Sequence, residues 1–163
     1  MLIFGHLGLT LGVAWVTKRI FNLKVDYKLV ALGSLLPDII DKPLGMIILP
    51  LNNGRIIAHT ILFNVILLLI CLKYKKQWLV FGSFLHLIED EMWKDIKTLF
   101  WPLFGFKFPV GEEISFYDYL IRLLITGYIP SLSFTFLSEL FGLIILIIFL
   151  LLLIIKNKNR KVK

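Results

Sequence analysis

The amino-acid sequence predicts an all-α, polytopic membrane protein with about five membrane-embedded helices. Composition is the first observation: 58% of the 163 residues are hydrophobic and 18% are charged, whereas soluble domains contain about 45–50% apolar and about 25% charged residues. The second observation is that long apolar runs alternate with short basic clusters. The mean hydropathy of +0.86 agrees with both, and the length fits a single domain.

The first half of the chain contains two predicted spans and an irregular segment. Residues 2–17 form an apolar run with neither a basic start nor a small-residue cleavage site, so we expect a retained span rather than a signal peptide. A second run covers residues 29–40, and we expect a break at Pro37, which disfavours helix at the residue before it. Residues 43–53 are too apolar for a simple loop and too interrupted for a full helix, which favours a re-entrant or interfacial segment.

The second half contains the remaining predicted spans. The third covers residues 56–72, and the fourth covers residues 78–88. Residues 94–130 mix aromatic side chains with charges and prolines, a composition typical of the headgroup region, so we expect an outer, aromatic-rich interfacial loop there. The final span is predicted at about residues 132–155, where the chain is almost entirely Leu, Ile and Phe.

Lysine and arginine residues predict the orientation, because cytoplasmic loops of membrane proteins are enriched in them. Three basic clusters follow apolar runs, and they consist of Lys18, Arg19, Lys24, Lys28, Lys73, Lys75, Lys76, Lys156, Lys158, Arg160, Lys161 and Lys163. With these clusters inside, every acidic residue except Asp26 lies on the other side. A membrane-embedded domain of residues 1–155 would then begin outside and end in a basic cytoplasmic tail, residues 156–163. The net charge of +7 is explained in this way and does not indicate a nucleic-acid partner.

All three histidines fall near the predicted outer ends of the spans. His86 and Asp90 are four residues apart, so a helix places both side chains on one face. The remaining candidate ligands in this layer are His6, Asp38, Asp41 and His59. Nitrogen and carboxylate donors together suit zinc or a similar divalent ion, and ionisable groups at membrane depth usually mark functional sites. The sequence therefore predicts a metal site in the outer half of the membrane.

Other polar residues near this layer have two interpretations each. Arg55 lies four residues before His59, where its guanidinium would either bind an anionic oxygen such as a phosphate or lie at the membrane interface. Glu89 and Glu91 fall on other helix faces than the predicted ligands, and we expect both to be solvated; the alternative is that one of them reaches a second metal or acts as a base. Lys94 would neutralise a carboxylate or a substrate charge.

Four motifs, taken in order, carry a resemblance to a known family. They are His6 with Gly8 and Gly12, then Gly33 to Asp41, then Arg55 to Thr60, and finally Gly82 to Asp90 followed by Trp101-Pro102. Over about residues 1–105 the chain resembles the YdjM-like membrane-bound metal-dependent hydrolases. That family is remotely similar to zinc-dependent phospholipases C and to the S1/P1 nucleases. The resemblance implies the metal ligands His6, Asp38 or Asp41, His59, His86 and Asp90, with Asp90 placed to bridge two ions.

Two departures from the family pattern reduce the expected metal cluster. Gly54 precedes Arg55 where the family usually has histidine, and no histidine follows His86. We therefore expect one or two zinc ions rather than three. The resemblance implies a hydrolase in which a metal-activated water attacks a phosphoester of a lipid or lipid-linked substrate. Asp90, Asp38 and Arg55 would be its catalytic residues.

Two other functions remain open at the level of the sequence. A small ion- or proton-handling membrane protein would place polar residues along the whole depth of the spans, whereas the cytoplasmic halves of these spans are apolar. A non-catalytic membrane protein could use the same ligands as a structural metal clamp between helices.

Overall fold

The computed structural model describes residues 1–49 and 51–161, and this part of the chain is helical without any strand. Its seven α-helices are α1 (Ile3–Phe21), α2 (Tyr27–Pro43), α3 (Ile61–Lys73), α4 (Gln77–Glu89), α5 (Ile96–Leu99), α6 (Phe116–Tyr128) and α7 (Phe134–Lys161). A π-helical turn, Leu44–Ile48, continues α2, and a 3-10 turn, Met92–Lys94, follows α4. The all-α class predicted from the sequence is confirmed.

Helices α2 and α4 run in the same direction and approach each other closely. The Trp78 indole near the start of α4 donates to the Lys24 carbonyl just before α2, at 2.9 Å. Glycine makes the approach possible, because a methyl group at Gly33 would overlap the Leu79 carbonyl, and one at Gly82 would overlap the Val30 carbonyl. Small residues of this kind let helix backbones pack together in membranes.

Helices α1 and α7 form a second parallel pair. The Glu139 carboxylate of α7 accepts hydrogen bonds from the backbone N–H groups of Leu2, Phe4 and Gly5, at 2.7, 3.1 and 3.0 Å. These donors belong to the first turn of α1, which has no side-chain cap of its own and would otherwise leave them unpaired. Glu139 therefore fixes the start of α1 and, one turn later, the position of His6.

The two ends of the bundle differ in character. One end, called here the site end, contains the start of α1, the end of α2, the segment before α3 and the end of α4. The opposite end, called the basic end, carries Lys18, Lys24, Lys73 and Lys76. An apolar cluster of Leu11, Ala14, Val30 and Phe149 fills the interior between them. The predicted ligands and the basic clusters are thus separated by the length of the bundle.

Polar side chains lie inside and apolar ones face outward. All three histidines are fully buried, whereas Leu69 of α3 and Ile154 of α7 are 65% and 63% exposed. Within the described residues, Phe134–Ile155 is the one segment that is helical, long and apolar enough to cross a bilayer by itself. Helix α3 is apolar but shorter, so the five crossings stay a prediction.

Two local predictions are wrong. The break predicted at Pro37 does not occur, because α2 continues through it to Pro43. Buried prolines are tolerated in such helices where neighbouring groups satisfy the freed backbone. The predicted aromatic-rich loop contains a helix, α6, whose first turn is capped by the Ser115 hydroxyl, which accepts from the Asp118 N–H at 3.1 Å.

Candidate metal centre

Four of the six predicted metal ligands converge at the site end. Asp38, His59, His86 and Asp90 each place one ligand atom within 4.8 Å of the other three. The two imidazole Nε2 atoms are 3.2 Å apart. His59 Nε2 lies 3.7 Å from Asp38 Oδ1 and 3.7 Å from Asp90 Oδ2, and His86 Nε2 lies 3.8 Å from Asp38 Oδ1.

These spacings fit a tetrahedral divalent ion. Zinc binds imidazole nitrogen and carboxylate oxygen at about 2.0–2.2 Å, which corresponds to distances between ligand atoms of about 3.3–3.6 Å in a tetrahedron. Four of the six separations, 3.2 to 3.8 Å, bracket that range, and the other two lie within 4.8 Å. The donor set, two nitrogens and two carboxylate oxygens, is also one that zinc accepts.

Hydrogen bonds to the outer ring nitrogens point both Nε2 atoms at the centre of the cluster. His86 Nδ1 donates to the Ser34 carbonyl at 2.7 Å, and His59 Nδ1 lies 2.7 Å from Asp41 Oδ2. A ring that donates through Nδ1 and is neutral has a lone pair at Nε2. Two lone pairs 3.2 Å apart repel, so this arrangement requires a proton or a metal ion between the rings. Orientation by such outer hydrogen bonds is the usual design of histidine metal ligands.

Asp41 lies behind His59 rather than in the cluster. Its two oxygens accept from the backbone N–H groups of Ile56, Ala58 and His59, at 2.8, 2.9 and 3.1 Å, as well as from the His59 ring. These bonds fix the fold of the segment before α3. Thr60, at the end of that segment, caps α3 by accepting from the Phe63 N–H at 3.0 Å. Of the two aspartates that the sequence left open, the structure therefore places Asp38 at the centre and assigns Asp41 to holding His59.

His6 lies next to the cluster. Its ring stacks on His86 with 3.9 Å between centroids, and its Nε2 is 3.3 Å from Asp90 Oδ1. That Nε2 atom is buried and has no hydrogen-bond partner among the described residues. Its Nδ1 lies 2.8 Å from Glu89 Oε2, and the other Glu89 oxygen accepts from the Thr10 hydroxyl at 2.8 Å. The expectation that Glu89 is solvated is therefore wrong, because α1 packs against this part of α4.

A small cavity of about 60 Å³ opens beside the carboxylates of the cluster. Arg55 and Lys42 bring positive charge to its wall: Arg55 Nε and Nη2 lie 3.0 and 2.9 Å from Asp90 Oδ2, and Lys42 pairs with Asp38. The Met1 ammonium, 2.7 Å from Asp90 Oδ1, Gly54, and Tyr119 and Leu123 of α6 complete the lining. Lys94, expected to neutralise a site carboxylate, instead pairs with Glu91 at 2.7 Å on the surface.

The charged groups at the cavity favour an ionised carboxylate and a neutral phenol. Burial alone raises the pKa of Asp90, but the neighbouring His59 and His6 rings, the Met1 ammonium and the charge of Arg55 together hold that pKa well below its ordinary value. Burial, reinforced by the negative charge of Asp38, raises the pKa of Tyr119 to about 12. At neutral pH Asp90 is therefore available as an anionic ligand, and Tyr119 is a hydrogen-bond donor.

Sequence reasoning missed two supporting residues. Glu89 was set aside, and Glu139, which fixes the start of α1, was not considered. A signal existed for Glu139, because it is the single acidic residue in the apolar stretch Phe134–Ile155, and a carboxylate in such a stretch usually has a specific partner. Glu89 gives no comparable signal, since its contact with His6 depends on how α1 packs.

Comparison with known proteins gives one match. The family model described as YdjM inner membrane protein matches residues 1–160. The match includes the four motifs and continues past residue 105 through α6 and most of α7. No curated protein and no solved structure matches the chain.

Proposed function

Because the chain belongs to the YdjM inner membrane protein family, we propose that this membrane protein is a metal-dependent hydrolase acting on a phosphoester of a lipid or lipid-linked molecule. The observation that carries the proposal is the cluster of Asp38, His59, His86 and Asp90, with all ligand atoms within 4.8 Å, beside a cavity lined by the Met1 ammonium, Lys42 and Arg55. A site that only stabilised the fold would not need a charged, accessible cavity at its edge.

The residues around the cluster suit this chemistry. A divalent ion held by the four ligands would lower the pKa of a bound water and polarise a phosphoryl oxygen. Asp41 and the Ser34 carbonyl bind the Nδ1 atoms of His59 and His86, so that both Nε2 atoms would face the ion. Arg55, whose side chain is 43% exposed, reaches the cavity and would bind a phosphate oxygen through its planar donors. These interactions orient the substrate and stabilise its negative charge.

Zinc is the ion that the donor set favours, and the number of ions depends on His6. With the four-residue cluster alone, one ion is held. A second ion would be held by His6, whose buried Nε2 lies 3.3 Å from Asp90 Oδ1, together with Asp90. The order of His6, Asp38, His59, His86 and Asp90 along the chain resembles that in zinc-dependent phospholipases C and S1/P1 nucleases, and this resemblance supports the reaction class.

We further propose that the site faces the outer side of the membrane. The cluster and the basic end lie at opposite ends of the bundle, and lysine-rich ends of membrane helices are typically cytoplasmic. A site at the outer boundary would be reached by the headgroup of a membrane lipid.

A structural metal clamp is the second candidate, and one observation favours it. Four protein donors complete a tetrahedral zinc site, as in structural sites, whereas catalytic sites usually keep one position for water. The cluster also joins α2, α4 and the segment before α3. An ion pathway is less compatible with the structure, because Leu11, Ala14, Val30 and Phe149 fill the interior toward the basic end.

Hydrolysis by zinc-loaded wild type and a zinc-loaded Arg55 variant distinguishes the hydrolase proposal from the structural metal clamp. Full-length protein, purified in detergent and loaded with zinc, is assayed for phosphate release from phosphatidic acid and for hydrolysis of phospholipid diesters. Arg55→Gln should keep its zinc and lose turnover at least tenfold. Arg122→Gln, which removes an exposed arginine paired with Glu112 on α6, serves as the matched control. Zinc-loaded wild type that hydrolyses no phospholipid would refute the proposal and leave the clamp.

A further inference from the structure

Helix α6 has three faces, and each suits a different environment. Phe116, Tyr119, Leu123 and Gly127 form one stripe at helical spacing, and they are the partly or fully buried positions of this helix. A second stripe is exposed and apolar, and it consists of Tyr117, Ile121, Leu124 and Tyr128. A third stripe consists of Asp118, Arg122 and Thr126. A helix that meets protein on one side, an apolar phase on the next and water on the third lies at a membrane–water boundary.

The buried stripe covers the mouth of the metal centre. Tyr119 and Leu123 line the cavity together with Asp38, Lys42, Arg55 and Asp90. A Cβ atom at Gly54 would lie 3.0 Å from the Tyr119 hydroxyl, so the absence of a side chain there leaves room for the tyrosine. The hydroxyl has no hydrogen-bond partner among the residues that the structure describes. The hydroxyl can therefore donate a hydrogen bond to a ligand at the edge of the site.

The cavity limits what can enter it. Its volume of about 60 Å³ has room for only a few water molecules, since one water needs at least about 10–15 Å³ of such space. A phosphoryl group is of this size, whereas a nucleoside or a sugar is far larger. The Met1 ammonium, Lys42 and Arg55 give the wall three positive charges against the two carboxylates Asp38 and Asp90 with which they pair. The two negative charges of a phosphate monoester complement this surplus better than the single charge of a diester.

We propose that α6 is the interfacial helix that admits a lipid with a terminal phosphate monoester, and that Tyr119 determines specificity by donating a hydrogen bond to that phosphate. The inference rests on the proposed hydrolase function and names its substrate class. The headgroup enters beneath Tyr119, and the acyl chains lie along the apolar stripe that contains Ile121 and Leu124. Water adds to phosphorus as the ester P–O bond breaks, so that inorganic phosphate leaves and the lipid alcohol takes a proton from the water.

Tyr119→Phe tests the contact, and Tyr74→Phe, which alters an exposed tyrosine outside the site, is its control. Zinc-loaded full-length protein in phosphatidylcholine vesicles is given phosphatidic acid, and the release of phosphate is followed. A single hydrogen bond to a charged group corresponds to about tenfold to a hundredfold in affinity, so KM should rise by that order in Tyr119→Phe alone. Phosphatidylglycerol, a diester, should be a poorer substrate than phosphatidic acid. Equal turnover of both lipids would overturn the assignment to monoesters.

Binding of inorganic phosphate distinguishes the two ways of failing. If Tyr119→Phe weakens phosphate binding to the zinc-loaded protein and no lipid is hydrolysed, the hydrolase proposal falls and the contact is supported. If lipids are hydrolysed and neither KM nor phosphate binding changes in Tyr119→Phe, the inference falls and the hydrolase remains.

Leu124→Gln tests the apolar stripe of α6. This substitution places a polar group on a side chain that is 51% exposed and outside the cavity. It should lower turnover of phosphatidic acid severalfold and leave hydrolysis of water-soluble p-nitrophenyl phosphate unchanged. Equal effects on both substrates, or none on either, would contradict a lipid path along α6.

Discussion

Replacing Asp41 by asparagine removes the carboxylate that holds His59 in place. The two Asp41 oxygens accept from three backbone N–H groups and the His59 ring, at 2.7 to 3.1 Å. An amide has one acceptor oxygen, so at least the Ala58 N–H would face another donor. A lost hydrogen bond to a charged group costs about 1.5–3 kcal/mol, and a buried unpaired donor about 1–3 kcal/mol more. We expect a loss of stability of about 3–5 kcal/mol and, because the ring loses its orientation, roughly 10- to 100-fold weaker zinc binding.

Zinc affinity is measured by competition with a chromogenic chelator, and stability by thermal unfolding of the same detergent-solubilised samples. Asp26→Asn provides the matched control, because Asp26 accepts from the Lys28 and Leu29 N–H groups and caps α2 at the basic end. Asparagine caps helices about as well as aspartate, so this variant should bind zinc like wild type. Unchanged affinity in Asp41→Asn, or an equal loss in Asp26→Asn, would refute the assigned role of Asp41.

Three further predictions concern His6, the helix packing and the topology. Glu89→Gln should weaken zinc binding about tenfold if His6 is a ligand, whereas Glu91→Gln should leave the affinity unchanged; equal affinities in the two variants would exclude His6. Gly33→Ala should cost at least about 1–3 kcal/mol, as overpacking does, and an unaltered melting temperature would contradict the close approach of α2 and α4. A cysteine in place of Glu113 should react with an impermeant thiol reagent on intact cells, and labelling only after lysis would contradict the proposed orientation.

The parts of the site that follow from local spacing were predictable. His86 and Asp90 are one helical turn apart, and they do meet in the cluster, with Asp90 just past the end of α4. The choice between Asp38 and Asp41 was not predictable, because both lie near the end of the same helix. It depends on the path of the segment before α3, whose backbone N–H groups surround Asp41. That path is a matter of tertiary structure.

The position of Glu89 and the place of α6 against the metal centre also depend on long-range packing. Glu89 would be solvated on an isolated α4, and it becomes a partner of His6 only because α1 packs there. Helix α6 itself was open to prediction, because Phe116–Tyr128 is strongly amphipathic, with Asp118, Arg122 and Thr126 on one side and apolar residues around the rest; reading residues 94–130 as one mixed segment concealed that pattern. Pro37 is tolerated in α2 because that helix packs against α4. The general rule that proline breaks a helix does not take such tertiary packing into account.

The most direct test of the metal centre is the metal content of the purified protein. Wild type, Asp38→Asn and His86→Ala are equilibrated with buffered zinc and freed of unbound metal, and their zinc content is measured by inductively coupled plasma mass spectrometry. Circular dichroism establishes that each variant is folded. The proposed centre predicts stoichiometric zinc in wild type and a strong loss in both folded variants. Negligible zinc in all three proteins, or equal zinc in all three, would contradict it.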